Sequence, residues 1–316
     1  MTTGRSGSPP RLLAVVAALA AALAPACRGR REPAPPPPPL EPLVVPTTLR
    51  EHLRQPDPPL VIDTRREGDY GVGHVPGSVN LPLEEFGHLP DTGIDPATRA
   101  RVHDLLGTAG VRPGLPVVAV DEGSPRGFGR AASLCWILSL VGHRECFVLE
   151  GGVTAWGAAR GRLVTPRFVP VRPGAPDRMP ARPPSLATLD ALRRATADGE
   201  VAIVDVRPPG SPGGIPGSLA LPLAPIVLQD GRIDRKVLLE EAEAAGILAE
   251  TEILVLGNDL SEGAGAWFLL ERVLGLRHVR LYPGGFDRYL SWPQLPGAGK
   301  HPPAARGNLD GRAFHP

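Results

Sequence analysis

The sequence predicts an α/β protein of two similar domains in tandem, each a small parallel sheet with helices on both faces. Its 316 residues leave room for two domains of ordinary size. Two motifs also occur twice in the same order: Val61–Arg65 (VIDTR) returns as Ile203–Arg207 (IVDVR), and Val75–Pro82 (VPGSVNLP) returns as Ile215–Pro222 (IPGSLALP). Finally, each copy alternates short apolar runs with helical patterns, which is typical of strand–helix–strand units.

The strands are indicated by runs of Val, Ile and Leu that are apolar at nearly every position. Such runs are typical of parallel strands that are buried on both faces of a sheet. They are LVIDT (60–64), PVVAV (116–120) and CFVLE (146–150) in the first copy, and VAIVDV (201–206), EILVL (252–256) and VRLY (279–282) in the second. In such sheets the functional loops follow the carboxyl ends of the strands.

Helices are predicted between these strands, from apolar residues spaced three and four positions apart. The pattern is formed by Leu134, Ile137, Leu138 and Val141 in the first copy and by Trp267, Leu270 and Leu274 in the second. Ser185 is expected to be the N-cap of a further helix, whose apolar positions begin at Leu186.

The first 27 residues have the pattern of an export signal. Basic residues precede the apolar run Leu12–Leu23, and Ala24–Ala26 (APA) offers a small-residue cleavage site. The run is shorter than the roughly 20 residues that span a bilayer. Cys27 directly follows, which resembles a bacterial lipoprotein site, although such sites usually have Leu where Ala24 stands. We expect an exported protein, either periplasmic or held at the membrane only by a lipid on Cys27.

Proline-rich stretches divide the rest of the chain. Pro33–Pro46 (PAPPPPPLEPLVVP) is typical of an extended polyproline spacer. The expected organisation is a signal at 1–27, a Pro-rich linker at 28–46, a first domain at 47–165, a second Pro-rich linker at 166–184, a second domain at 185–296 and a disordered tail at 297–316.

Charge and cysteine content exclude several function classes. Lys and Arg number 34 against 33 Asp and Glu, so the chain has no overall positive field to hold a nucleic acid. The three cysteines form no C-x-x-C pair and no cluster with the eight histidines. The sequence therefore predicts no metal site and indicates no cofactor.

The ordered motifs resemble those of the tandem rhodaneses, the two-domain thiosulfate or mercaptopyruvate sulfurtransferases. The matching motifs are a strand-end D-x-R (Asp63–Arg65 and Asp205–Arg207), a turn G-H-I-P-G-A (Gly73–Ser78), a closing G-H (Gly142–His143) and the run L-x-G-G through Trp at 149–156. The resemblance covers about residues 43–296. The second copy departs from the family in having Gly214 where the first has His74.

The resemblance implies a cysteine at the start of the loop after the central strand. Its thiolate takes sulfur as a persulfide while backbone N–H groups of the loop hold the anion. In the first copy that position is Asp121, and the first domain of such tandem proteins is typically non-catalytic and often has Asp there. In the second copy, where the family keeps its nucleophile, the position is Gly257. The sequence therefore predicts no catalytic residue in either loop.

Other residues are weak substitutes for the missing nucleophile. Cys135 lies within an apolar helix and Cys146 begins a strand, so both are expected to be buried structural residues. Whether they pair is left open, because a separation of 11 residues in sequence does not determine their distance in space. Ser261 would need a base, and the second copy offers only His278, outside the loop.

The remaining polar residues of the motifs have structural and functional interpretations. Because Asp63 with Arg65, and Asp205 with Arg207, recur in both copies, we expect structural ion pairs that clamp loops, and we expect His74 to be structural in its turn. The candidates for binding an anion through the loops are Arg126, Arg130, Asn258 and Ser261. For the two arginines, pairing with Asp121 and Glu122 is the favoured alternative.

Two function classes remain. The favoured one is an exported, catalytically inactive rhodanese-like tandem protein, which acts as a binding module for an unknown protein or a small anion. The alternative is an active thiosulfate or 3-mercaptopyruvate sulfurtransferase with an atypical site. Phosphatase chemistry of the related cysteine-dependent kind fails for lack of the same thiol.

Overall fold

The computed structural model describes residues 36–165, 172–180, 183–247 and 252–291. The expected signal, Cys27 and the tail at 297–316 lie outside these residues, as do parts of both Pro-rich linkers. Within the described ranges, no helix is both long enough and apolar enough to cross a membrane.

The first copy is built on a five-stranded parallel sheet. Its strands are β1 (Leu43–Val44), β2 (Leu60–Asp63), β3 (Val79–Asn80), β4 (Val117–Val120) and β5 (Cys146–Leu149). They lie in the order β1-β5-β4-β2-β3, and every neighbouring pair is parallel. Every residue of β4 and β5 is buried, which explains why these two runs are apolar at nearly every position.

Helices cover both faces of this sheet. They are α1 (Pro46–His52), α2 (Glu67–Val72), α3 (Pro96–Thr108), α4 (Pro125–Leu140) and α5 (Gly152–Ala158), with a 3-10 turn at Leu83–Phe86. Alternate strand residues pack on the two sides: Ile62 and Ala119 share a cluster with α3 and α4, whereas Val61 and Val118 share one with α1 and α5. The predicted parallel sheet with helices on both faces is confirmed for this copy.

The second copy repeats the plan with four parallel strands. They are β6 (Ala202–Asp205), β7 (Leu219–Ala220), β8 (Ile253–Leu256) and β9 (Val279–Leu281), in the order β7-β6-β8-β9. The helices are α6 (Leu189–Asp198), α7 (Arg235–Ala244), α8 (Leu260–Phe268), which continues as a π-helix at Leu269–Val273, and α9 (Gly285–Leu290). Here too the two faces pack into separate clusters, one with α6 and α9 and the other with α7 and α8.

The expectation that Ser185 caps a helix is wrong. Helix α6 begins at Leu189, and its N-cap is Thr188, whose Oγ1 accepts a hydrogen bond from the N–H of Ala191 at 3.2 Å. Ser185 instead lies beside β9, where its carbonyl accepts the N–H of Leu281 at 2.9 Å and Leu186 forms a parallel bridge. The segment runs along the sheet edge as β1 does in the first copy, so it is extended.

The two copies pack against each other through α4 and α8. The described residues from Pro37 onward form one compact unit, and one apolar cluster contains residues of both helices. Phe128 and Phe268 meet edge to face with ring centroids 6.1 Å apart. A Cβ on Gly129 would lie 2.5 Å from the backbone oxygen of Ser261, so this close approach of the helices requires glycine.

A disulfide joins Cys135 of α4 to Cys146 at the start of β5. Their Cα atoms are 5.3 Å apart, and each residue is 2% exposed. The prediction that both cysteines are buried is confirmed. The alternative in which either acts as a free nucleophile disagrees with the structure, because both sulfur atoms are already bonded to each other.

Candidate functional site

In each of the two sheets, one loop follows the carboxyl end of a central strand and leads into a helix. Asp121 follows β4 and leads into α4, and Gly257 follows β8 and leads into α8. Each helix begins with a side-chain cap: Ser124 accepts the N–H of Gly127 at 3.0 Å, and Asp259 accepts the N–H of Glu262 at 2.9 Å. Because α4 and α8 pack together, the two loops are brought to the same side of the molecule.

The Asp121 carboxylate is buried and fully engaged in hydrogen bonds. Its Oδ2 accepts the hydroxyl of Thr64 at 2.5 Å and the Nε of Arg130 at 3.1 Å, while Oδ1 accepts the N–H of Glu122 at 2.8 Å. Burial raises the pKa of Asp121, and the hydrogen bonds and the nearby guanidinium oppose that rise. The carboxylate therefore organises its own loop.

Arg130 is committed to the same network and does not serve as a free anion site. Besides Asp121 it binds Glu84 through Nη1 at 3.0 Å and the carbonyl of Thr64 through Nη2 at 2.7 Å. The hydrogen bonds and charge of Arg130, with a smaller contribution from Arg66, lower the pKa of Glu84 to about 2. Of the two expectations for Arg130, the structure favours pairing with Asp121, and the second acid partner is Glu84 instead of Glu122.

In the second loop, Glu262 folds back over the position where a nucleophile is expected. Its Oε2 accepts the backbone N–H of Asn258 at 2.6 Å. A Cβ built on Gly257 would lie 3.1 Å from that oxygen and 2.8 Å from the backbone nitrogen of Gly263. Burial raises the pKa of Glu262, as do the nearby carboxylates of Asp259 and Asp205. A carboxylate of the chain itself thus holds the loop amide that an anionic substrate would need.

A cleft of about 320 Å³ lies where the two loops meet. Its apolar part includes Phe128, Leu223 and Val227, and its polar part is formed by Arg126, Gln229, Asn258, Asp259, Ser261 and Glu262. Arg126 is exposed, and among the described residues it makes neither a hydrogen bond nor an ion pair, so the favoured expectation that it pairs with Asp121 and Glu122 is wrong. Three of the four candidate anion-binding residues therefore line one cleft, and Arg130 does not.

The D-x-R residues clamp turns in both copies. Arg65 binds Asp63 at 2.7 Å and the carbonyl of Gly73 at 2.8 Å. Arg207 binds Asp205 at 2.7 Å and the carbonyls of the turn at 212–213, and its guanidinium stacks over the Phe286 ring. These arginines are oriented by structural bonds and not towards the cleft.

His74 is fully buried in its turn. Its ring stacks on Tyr70 with centroids 3.8 Å apart, Nδ1 lies 3.1 Å from the carbonyl of Tyr70, and its backbone pairs with Val164. The histidine therefore packs the turn after α2. The second copy has Gly214 there, so its turn is held by Arg207 alone, whereas the turn of the first copy has both the Arg65 clamp and the stacked His74 ring.

Ser261 is not activated by His278. Ser261 follows the carboxyl end of β8, whereas His278 immediately precedes the amino end of β9. Because β8 and β9 are parallel neighbours, Ser261 lies beyond the carboxyl ends of the strands and His278 lies at their amino ends. No group of three or more His, Cys, Asp or Glu residues with a metal-binding arrangement occurs among the described residues.

Sequence reasoning missed three residues of this region: Thr64, Glu84 and Gln229. The position of Thr64 could have been predicted, because Thr64 lies inside the first D-x-R motif at the end of β2. Glu84 and Gln229 belong to segments without a repeated motif, and they reach the site only through the folding of the chain around each sheet.

Comparison with known proteins identifies the fold and the family. A family model described as a rhodanese-like domain matches residues 45–159 and 188–291. The thiosulfate sulfurtransferases of Azotobacter vinelandii and Pseudomonas aeruginosa are 28% and 27% identical over 272 residues, covering 81% of this chain and 96% of theirs. The crystal structure of SseA, a 3-mercaptopyruvate sulfotransferase from Escherichia coli, aligns with a TM-score of 0.62 at 22% identity, covering 78% of this chain and 99% of SseA. The chain is therefore a member of the rhodanese-like domain family, with two such domains in tandem and sulfurtransferases among its relatives.

Proposed function

We propose that this chain is a binding member of the family, which does not transfer sulfur through a cysteine persulfide. The observation that carries the proposal is the pair of residues that open the two loops, Asp121 and Gly257. Sulfur transfer by this route needs a thiolate that attacks the donor and holds the sulfur. A buried carboxylate and a glycine supply neither the nucleophile nor the covalent intermediate.

The three cysteines support the same proposal. Cys135 and Cys146 are joined to each other, buried, and located on α4 and β5 away from the loop openings. A disulfide has no thiolate to attack a sulfur donor. Cys27 belongs to the segment with the export pattern, which is expected to be cleaved or lipidated at that residue.

The electrostatics of the second loop also disfavour a small dianion such as thiosulfate. The backbone N–H of Asn258 already donates to Glu262 Oε2 at 2.6 Å, and Asp259 places a second carboxylate at the loop. Like charges at such distances repel, and the repulsion grows as water is excluded. An anion that entered the loop would have to displace Glu262 first.

The cleft favours a partly apolar ligand with a single anionic group. Phe128, Leu223 and Val227 offer apolar surface, and the exposed Arg126 offers a guanidinium, with Asn258 and Ser261 as further polar contacts. A carboxylate on a small molecule or on a segment of a partner protein matches this arrangement. In this proposal the anionic group of the ligand contacts Arg126 of α4.

Export is part of the proposal. The apolar run at 12–23 and the small residues at 24–26 indicate cleavage before Cys27. A buried disulfide suits an oxidising compartment such as the periplasm. Mass spectrometry of the native protein is expected to show Cys27 as the first residue, bare or carrying a lipid, and an intact Met1 would contradict export.

The test of the function is a cyanide-dependent thiocyanate assay on the purified mature chain. With thiosulfate and with 3-mercaptopyruvate as donors, we expect rates at the level of buffer alone. The alternative is an active sulfurtransferase with an atypical site, which the names of the relatives favour. Turnover well above buffer with either donor would establish that alternative and overturn the proposal.

A further inference from the structure

A second cavity, of about 440 Å³, lies at the amino ends of β5 and β9, whereas the cleft lies beyond the carboxyl ends of β4 and β8. It is formed by the turn that leads from α4 into β5 and by the equivalent turn that leads from the π-helix into β9. The packing of α4 on α8 brings these two turns of the repeat together. The cavity therefore belongs to both copies and shares no lining residue with the cleft.

The lining of this cavity is strongly basic. Arg144, Arg272 and Arg277 contribute three guanidiniums, and Glu271 contributes the single carboxylate of the described lining. None of the three arginines forms an ion pair within the described part of the chain. Elsewhere the arginines of the motifs are paired with acids at 2.7 Å, so this group of cations differs from those that serve the fold.

Arg272 is the most constrained of the three. Its Nε is buried and has no hydrogen-bond partner among the described residues, and Nη2 reaches only the carbonyl of Cys146, at 3.4 Å. Burial lowers the pKa of Arg272, and the charges of Glu271 and Glu145 oppose this without direct contact. A partly buried guanidinium without a bonded anion is costly, and a bound anion would remove that cost.

The backbone around the cavity is also unusual. The chain forms a π-helix over Leu269–Val273, and His278 has a φ of 63°, which is rare for a residue other than glycine. Both features tend to occur where function requires them. The hydroxyls of Ser139 and Ser185, which also line the cavity, lie 2.6 Å apart and offer further hydrogen-bonding groups.

We propose that this cavity binds a small soluble molecule that bears a phosphate or sulfate group. Guanidinium forks match such oxyanions with two parallel hydrogen bonds, and three arginines line this cavity. The volume exceeds that of an inorganic ion and falls in the range of small-molecule sites, which leaves room for an organic portion. The proposal rests on residues outside the cleft and is independent of the proposed function.

The test is calorimetric titration of the mature chain with phenyl phosphate and with inorganic phosphate, at an ionic strength held constant with sodium chloride. Arg277→Gln changes an exposed side chain and is expected to fold normally, and Arg272→Gln removes the constrained guanidinium. Arg54→Gln, an exposed arginine just after α1, is the matched control. We expect saturable binding of phenyl phosphate that weakens at least about tenfold in both cavity variants and is unchanged in the control.

Other outcomes would overturn the proposal. An absence of saturable heat in the wild type, or equal affinity in wild type and cavity variants, would mean that the arginines only complement the carboxyl ends of the neighbouring helices. Binding to vesicles that contain phosphatidylglycerol, without binding of phenyl phosphate, would assign the cavity to a membrane surface and not to a soluble ligand.

Discussion

Restoring a thiol at Gly257 tests directly whether Glu262 blocks the second loop. In Gly257→Cys the new Cβ lies 3.1 Å from Glu262 Oε2, which places the sulfur roughly 4 Å from a negative charge. At that distance the repulsion is about 1 kcal/mol with the dielectric constant of water and about 4 kcal/mol with the effective value near a protein surface. A like charge disfavours the thiolate, so the thiol pKa is expected to rise by about one to three units above its usual value near 8.5.

Adding Glu262→Gln to Gly257→Cys removes the charge of Glu262 and keeps a side-chain oxygen that can accept the hydrogen bond from the backbone N–H of Asn258. We therefore expect the thiol pKa of the double variant to fall by about one unit or more below that of Gly257→Cys alone. The assay is the rate of iodoacetamide alkylation as a function of pH, followed by mass spectrometry of the peptide that contains residue 257.

The matched control is Gly257→Cys with Glu240→Gln, which neutralises an exposed carboxylate on α7. It is expected to titrate like Gly257→Cys alone. Equal thiol pKa values in the two double variants would refute the argument that Glu262 controls the electrostatics of the loop. The new Cβ would also lie 2.8 Å from the backbone nitrogen of Gly263, so the backbone must shift. We therefore expect a lower free energy of unfolding in every variant that carries Gly257→Cys.

Three further predictions concern stability, and urea denaturation checks each of them. Arg130→Met leaves the buried Asp121 carboxylate without its cation and is expected to lower the free energy of unfolding by about 3 kcal/mol; a loss below about 1 kcal/mol would contradict that role. Reducing the Cys135–Cys146 disulfide is expected to cost about 2 to 4 kcal/mol, measured on oxidised and reduced chains, with no change in sulfur-transfer rate. Because the pKa of Glu84 is lowered from 4.5 to about 2 in the folded chain, its pairing contributes stability above about pH 4.5, and this contribution is lost as the pH falls towards 2. Glu84→Gln should therefore flatten the acid limb of the stability profile, and an unchanged slope would show that the pair does not stabilise the fold.

The candidate site divides into residues that local patterns predicted and residues that only the fold brought together. The loops after β4 and β8 were predictable, because each follows a short apolar run and a repeated motif. The D-x-R ion pairs were also predictable, since the partners are two residues apart. Arg130, by contrast, reaches Glu84 across 46 residues and Thr64 across 66, and no sequence period relates them.

The sequence by itself determined the two α/β repeats, the absence of a thiol at either loop opening, and the burial of both central cysteines, because side-chain type and spacing decide these properties locally. Only the tertiary structure decided that Cys135 and Cys146 pair, since their 5.3 Å Cα separation depends on how α4 packs on β5. The same holds for Ser185, which looks like a cap in sequence but lies along β9. It holds as well for the two cavities, which form where α4 meets α8. Contacts between distant segments depend on the packing of whole elements, and periodicity within one element carries no information about that packing.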